Sequence, residues 1–201
     1  MYSTATAQVA HVPGVESGAI YEVNIRQYTP EGTIQAFLPH LKRLKSMGVD
    51  MLWIMPIQPI GVKNRKGELG SYYSISDYTA VNPEFGTLGD VKELVEESHR
   101  LGMRVILDWV ANHSAWDNVW VKEHKDWFVL DSTGNFTVPY DWTDVIKLNY
   151  ENQGLRNAML EAMKFWVKET GMDGFRCDVA YEVPMDFWNH ARMELDRIKP
   201  V

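Results

Sequence analysis

The sequence predicts an α/β fold of the (β/α)8-barrel type, on three observations. Strand-like and helix-like segments alternate along the chain, the order that builds a parallel sheet with crossover helices. Two strand segments end in polar residues: Val105-Ile106-Leu107-Asp108, with Asn112-His113 behind it, and Gly174-Phe175-Arg176-Cys177-Asp178. Polar groups at the C-terminal ends of parallel strands are where such barrels carry their sites. The third observation is length. A complete barrel has eight βα units in about 250 residues, whereas the pattern here yields four. The expected organisation is a lead-in over residues 1–18 and a partial barrel over 19–201, with 109–152 inserted after the third strand.

Residues 19–25 read as the first strand. Ile34, Phe37, Leu38, Leu41 and Leu44 then recur with helical spacing behind Thr33, and Gly48 closes that helix. Pro39 lies inside it, where an interior proline costs about 3 kcal/mol, so the helix is expected to kink or to start late. Residues 51–54 form the second strand, followed by a long loop punctuated by Gly61, Gly67 and Gly70. Thr87 caps a helix carrying Val91, Leu94, Val95 and Leu101, ended by Gly102. The third strand spans residues 103–108. The next stretch, 109–152, is rich in Trp and Asp and too long for an ordinary βα connection. Asn152 caps a third helix with Leu155, Met159, Met163, Trp166 and Val167 on one face. The fourth strand, 174–178, precedes a last helix over 184–198.

Composition narrows the function classes. With 45% hydrophobic and 23% charged residues the chain is globular. A net charge of -7, a pI near 5.4 and the lack of a basic stripe give a nucleic-acid partner no electrostatic support. No apolar run approaches the roughly 18 residues that span a bilayer, so no membrane role is expected. The start shows no basic segment followed by an apolar one, and the compartment stays open. One cysteine excludes an internal disulfide; Cys177 is expected to face the helix layer as an inert packing residue.

Strand alternation puts Arg176 and Asp178 on one face and Phe175 and Cys177 on the other. A guanidinium beside a carboxylate holds it ionised, which suits a nucleophile. Its fork is expected to hold both Asp178 and a neighbouring carboxylate, with Asp108 as the candidate. A purely structural Arg–Asp pair is the alternative for Asp108.

These residues resemble the α-amylase family of glycoside hydrolases. Asp108-Trp109-Val110-Ala111-Asn112-His113 matches its D-x-x-x-N-H motif, and Gly174-Phe175-Arg176-Cys177-Asp178 its G-F-R-x-D motif. The stretch 48–56 looks like the family's second strand. Gly70-Ser71-Tyr72-Tyr73, with Phe85-Gly86-Thr87 behind it, resembles the loop that carries a sugar-stacking tyrosine. The resemblance implies a retaining glycosidase acting on α-linked glucosides such as starch or maltooligosaccharides. In it Asp178 is the nucleophile, Arg176 its charge partner, and Tyr73, His113 and Asp108 contact substrate. Tyr72 stands beside Tyr73, so a one-residue slip is open. Trp53 and Trp166 are expected in core packing; Trp109, Trp116, Trp120, Trp127 and Trp142 fall in the insertion, most of them as packing residues.

Departures from the family pattern matter too. Many members bind calcium through the asparagine equivalent to Asn112 and an aspartate where this chain has Lys147, and an ammonium repels a dication. No metal or other cofactor is therefore expected. Tyr181-Glu182 replaces the Lys-His pair that often follows the nucleophile. The acid/base glutamate and a later histidine–aspartate pair belong to strands beyond Val201. The expected partners are thus an α-glucan and the missing C-terminal half of the barrel, or a second copy recruited by open strand edges. Transglycosylases share these motifs, and a non-catalytic carbohydrate-binding relative is a further alternative.

Overall fold

A computed structural model of the protein describes residues 12–201. Its elements in order are β1 (Ala19–Val23), α1 (Ile25–Tyr28), α2 (Ile34–Phe37), α3 (Leu41–Ser46), β2 (Val49–Ile54), α4 (Leu88–Arg100), β3 (Arg104–Val110), β4 (His113–Ala115), β5 (Val145–Lys147), α5 (Gln153–Thr170), β6 (Gly174–Asp178) and α6 (Met185–Asp196). Four strands make one parallel sheet in the order β1-β2-β3-β6. That is the sequential strand order of a barrel wall, with the helices as crossovers.

The helices start and stop for local reasons. Thr87 and Asp90 form a reciprocal capping box at α4, with Asp90 Oδ2 accepting from the Thr87 amide at 2.6 Å. Asn152 Oδ1 accepts from the amides of Gly154 and Leu155 at the start of α5, and Gly171 ends that helix in the left-handed region at φ 74°. Pro39 breaks the first crossover as expected: a 3-10 turn over Leu38–His40 separates α2 from α3.

Strand boundaries differ from the sequence reading: β2 starts at Val49 rather than 51, β3 at Arg104 rather than 103, and two strand ends also move. β1 stops at Val23 rather than 25, because Ile25 turns into α1 and buries its side chain, with the Tyr28 amide returning to the Asn24 carbonyl. β3 runs to Val110 rather than 108, because its ladder with β6 continues through Trp109↔Cys177 and Val110↔Asp178. Trp109 is thus a strand residue, fully buried against Tyr78 and Phe175, and not part of the insertion.

The insertion carries its own antiparallel pair, β4 and β5, in which His113 lies opposite Lys147. The turn from β3 into β4, residues 110–113, is held through its carbonyls. The buried Tyr78 hydroxyl donates to the Val110 and His113 carbonyls at 2.8 Å, the Tyr150 hydroxyl to the Ala111 carbonyl at 2.8 Å, and the Leu148 amide to the Asn112 carbonyl. A chain reversal buried in a core needs such partners for its polar groups. Trp166, as read from sequence, is core; its indole N–H donates to the Tyr78 carbonyl. Cys177 sits beside Met163, Phe175 and Trp188 on the helix side of β6, and burial pushes its thiol up to about 12. No helix among the described residues is long and apolar enough to cross a membrane.

Candidate active site

The C-terminal end of β6, the loop after β2 and the insertion surround a cavity of about 550 Å3. Its walls include Lys66, Tyr73, His113, Trp142, Asp144 and Asp178. Asp178 reaches it because β6 ends there. Val179, the next residue, also lines the cavity and takes a left-handed backbone at φ 47°, a costly conformation for a β-branched side chain.

Arg176 Nη1 donates to Asp178 Oδ1 at 2.8 Å and to both oxygens of Asp108 at 3.1 and 3.2 Å. One terminal nitrogen bridges the two carboxylates, where the sequence reading expected the fork of the guanidinium to be shared between them. The guanidinium also lies 4.7 Å over the Trp53 ring. This corrects the reading of Trp53 as core packing: its indole N–H donates to Asp108 Oδ2 at 3.0 Å. A barrel strand buries both faces, and Trp53 takes the inner one.

Asp108 is fully buried and stands behind the cavity wall rather than on it. Its oxygens accept from Trp53, Arg176 and the Tyr73 hydroxyl, the last at 3.1 Å. Burial pushes its carboxyl up, against the downward pull of Arg176. The position departs from the expectation that Asp108 touches substrate; it anchors two residues that line or edge the cavity.

Tyr73 faces the cavity, while Tyr72 turns away to hold the Arg26 guanidinium at 4.7 Å and to lie against Phe85. Burial, then the Asp108 charge, raises the Tyr73 hydroxyl well above its ordinary value, so it stays a donor. His113 is buried with its ring edge-on to Trp142 at 5.4 Å. Its Nδ1 lies 3.2 Å from the Asn112 side-chain amide nitrogen, which can only donate, so the proton sits on Nε2. Burial lowers its pKa to about 4, although Asp178 and Asp144 pull the other way, and the ring is neutral at neutral pH.

Sequence reasoning missed Lys66 and Asp144, an ion pair at 3.2 Å that ties the loop after β2 to the insertion across one wall. A charge pair 78 residues apart in sequence leaves no local signal. Lys147 Nζ contacts Glu182 Oε2 at 3.0 Å, so the two departures from the family pattern pair with each other. With that ammonium in place, the residues do not fit a calcium ion held between positions 112 and 147.

The fold is part of a (β/α)8 barrel with a polar cavity at its strand ends, and comparison with known proteins gives its family. The chain belongs to the α-amylase family: residues 14–130 and 123–197 match the model of the alpha amylase catalytic domain. It is 31% identical to a cyclomaltodextrinase of Bacillus sp over 84% of this chain and 32% of the relative. It is 34% identical to an α-1,4-glucan:maltose-1-phosphate maltosyltransferase of Rhodospirillum rubrum, over 90% of this chain and 30% of that protein. Among solved structures, an α-amylase from Lactobacillus plantarum superposes with a TM-score of 0.87 at 44% identity, over 90% of this chain and 42% of that one. A maltogenic α-amylase, AmyB, from Thermotoga neapolitana also gives 0.87 at 44% identity, over 93% and 45%. The chain therefore spans about a third or less of these curated relatives and under half of these solved chains.

Proposed function

We propose that these residues carry the nucleophile half of the site of a retaining glycosidase acting on α-linked glucosides. Asp178 attacks the anomeric carbon, and the leaving sugar departs as the C–O bond breaks; water then releases the glycosyl-enzyme ester. One observation carries the reading: Arg176 Nη1 at 2.8 Å from Asp178 Oδ1, at the edge of a cavity lined by His113 and Tyr73. Arg176 favours the ionised nucleophile, and Asp108 and Trp53 hold Arg176 in place. His113, neutral, offers its Nε2 proton to a sugar hydroxyl. Tyr73 offers a ring face to the sugar.

A retaining mechanism needs a second carboxyl about 5 to 5.5 Å from the nucleophile. Among the described residues, the carboxylates lining the cavity are Asp144 and Asp178, and Asp144 is tied to Lys66. Asp108 lies near Asp178 but is fully buried and held by Trp53, Tyr73 and Arg176, so on this reading the acid/base comes from outside these four strands, and the 201 residues by themselves are expected to be inactive.

The test is Asp178→Asn in the intact protein. Turnover of maltooligosaccharides is expected to fall by at least about a thousandfold with the fold retained. A variant keeping a tenth of the parent kcat overturns the assignment. A second reading, transfer of the glycosyl group to a sugar, is favoured by the similarity to a maltosyltransferase. Water and sugar compete for one intermediate, and product analysis at high maltose separates the two.

A further inference from the structure

The loop after β2 carries a strap of successive exposed residues, 62–69, between the buried Gly61 and the half-buried Gly70. Its neck is fixed. The Gly61 amide donates to the Ser74 carbonyl at 2.8 Å, Ile60 bridges Ile75, and Asp117 Oδ2 accepts from the amides of Val62 and Lys63 at 2.9 and 3.1 Å. The rest of the strap is held far less. Its large apolar residues, Val62 and Leu69, are 67% and 55% exposed and bury little. Among the described residues, the polar tie from 64–69 to the insertion is the ion pair of Lys66 with Asp144 at 3.2 Å. We propose that residues 62–69 form a gate on the cavity, latched by Lys66 and Asp144, which swings open for glucan to enter and for product to leave. The inference rests on the reading of the cavity as an α-glucan site.

Both halves of the latch line the cavity, Lys66 with Gly70 and Tyr73 on one side, Asp144 with Trp142 on the other. Separating them parts the wall and leaves Asp178 and His113 in place, since those residues stand on β6 and β4. The two partners are unequal. The Asp144 side chain is 9% exposed, its carbonyl accepts from Ser74 Oγ at 3.1 Å, and it directly precedes β5. The Lys66 side chain is 55% exposed on the strap. Asp144 is thus the fixed partner and Lys66 the moving one. An ion pair with one end in water gives little net stability, so it closes the strap and still releases it readily. A segment with few buried apolar contacts also opens at low cost, whereas a permanent wall would call for packing that Val62 and Leu69 do not provide. Hinges are a few residues at element or loop ends that absorb the backbone change. Gly70, in the left-handed region at φ 72°, stands where the strap rejoins the cavity wall.

The experiment uses the intact protein. In a variant carrying Lys66→Cys and Asp144→Cys, a short bis-methanethiosulfonate joins the two thiols and dithiothreitol releases them. Cys177 does not compete, because burial pushes its thiol up to about 12. Maltotriose turnover by the tethered protein is expected to fall at least about tenfold below that of the same protein after reduction. A second arm needs no substrate. Lys66→Met removes the latch charge at an exposed position, and trypsin is expected to cut after Arg65 about fivefold faster than in the parent, because the strap stands open more of the time. If the tethered protein turns over maltotriose within about twofold of its reduced form, the gate is wrong and the glucan site stands. If the parent cleaves no maltooligosaccharide, the glucan reading fails. In that case, or if the cysteine pair is inactive even when reduced, the trypsin rates decide, and equal rates in the parent and Lys66→Met overturn the gate.

Discussion

His113 shows how one buried side chain ties the site to stability. Its pKa is about 4 in the folded protein against an ordinary value of 6.5, with burial as the main cause. As pH falls below 6.5 the unfolded chain takes the proton first, so stability is lost between about pH 6.5 and pH 4 and no further below that. The pKa difference corresponds to about 3 kcal/mol. Replacing His113 with Gln removes the titration. In urea unfolding, the parent is expected to lose about 2 kcal/mol more than His113→Gln between pH 7 and pH 4.5. Equal losses would mean that the imidazole is solvated or charged in the folded state. Asp108 bears on the site at the same scale. Its buried carboxylate aligns Arg176 and Tyr73, and its influence on substrate passes through them.

At the scale of elements, the segment between β3 and β4 determines where His113 stands. Residues 111 and 112 lie in no sheet ladder, so their carbonyls depend on the Tyr150 hydroxyl and the Leu148 amide, while the Tyr78 hydroxyl holds the flanking carbonyls of Val110 and His113. Tyr78→Phe keeps the ring packed on Trp109 and Trp120 but removes the one proton shared between two backbone carbonyls. A loss of about 1 to 3 kcal/mol in unfolding free energy is expected, the cost of leaving a buried polar group unsatisfied. Because His113 shifts with the segment, KM for oligosaccharide should rise as well. Unchanged stability would show that water replaces the hydroxyl. Lys147 and Glu182 act between elements too, joining β5 to the turn that follows β6. With that ammonium at the position of a calcium ligand, EDTA is expected to leave the melting temperature of the intact protein unchanged. A drop restored specifically by calcium would refute this.

At the scale of the molecule, a four-stranded parallel sheet leaves the outer sides of β1 and β6 without strand partners among the described residues. Parallel sheets are normally covered on both faces, and an open edge templates further pairing. Ile20 on β1 is 60% exposed. The 201-residue polypeptide produced alone is expected to associate into dimers or larger species, with no release of reducing ends from starch. Light scattering and a reducing-sugar assay check both. A monodisperse monomer with enzyme-like turnover would contradict the proposal.

The alternation of strands and helices, the caps at Thr87 and Asn152 and the break at Pro39 were legible in the sequence because each rests on residues a few positions apart. The motif residues Arg176, Asp178 and His113 were legible for the same reason, together with the shared face of residues 176 and 178. Strand alternation likewise places Trp53 on a definite face. It leaves open which face meets the helices and which the polar interior, since both are buried in a barrel, and only the assembled sheet put Trp53 against Asp108 and Arg176. The adjacent tyrosines 72 and 73 could not be told apart by motif, and the path of their loop decided it. Lys66 with Asp144, Tyr140 with Tyr181 and Lys147 with Glu182 are meetings of residues 35 to 78 positions apart. Such contacts form when the insertion folds back over the strand ends, and no local pattern encodes the distance between two loops. The sequence by itself thus determined the chemistry available, while the tertiary structure decided which groups face the cavity and which stand behind it.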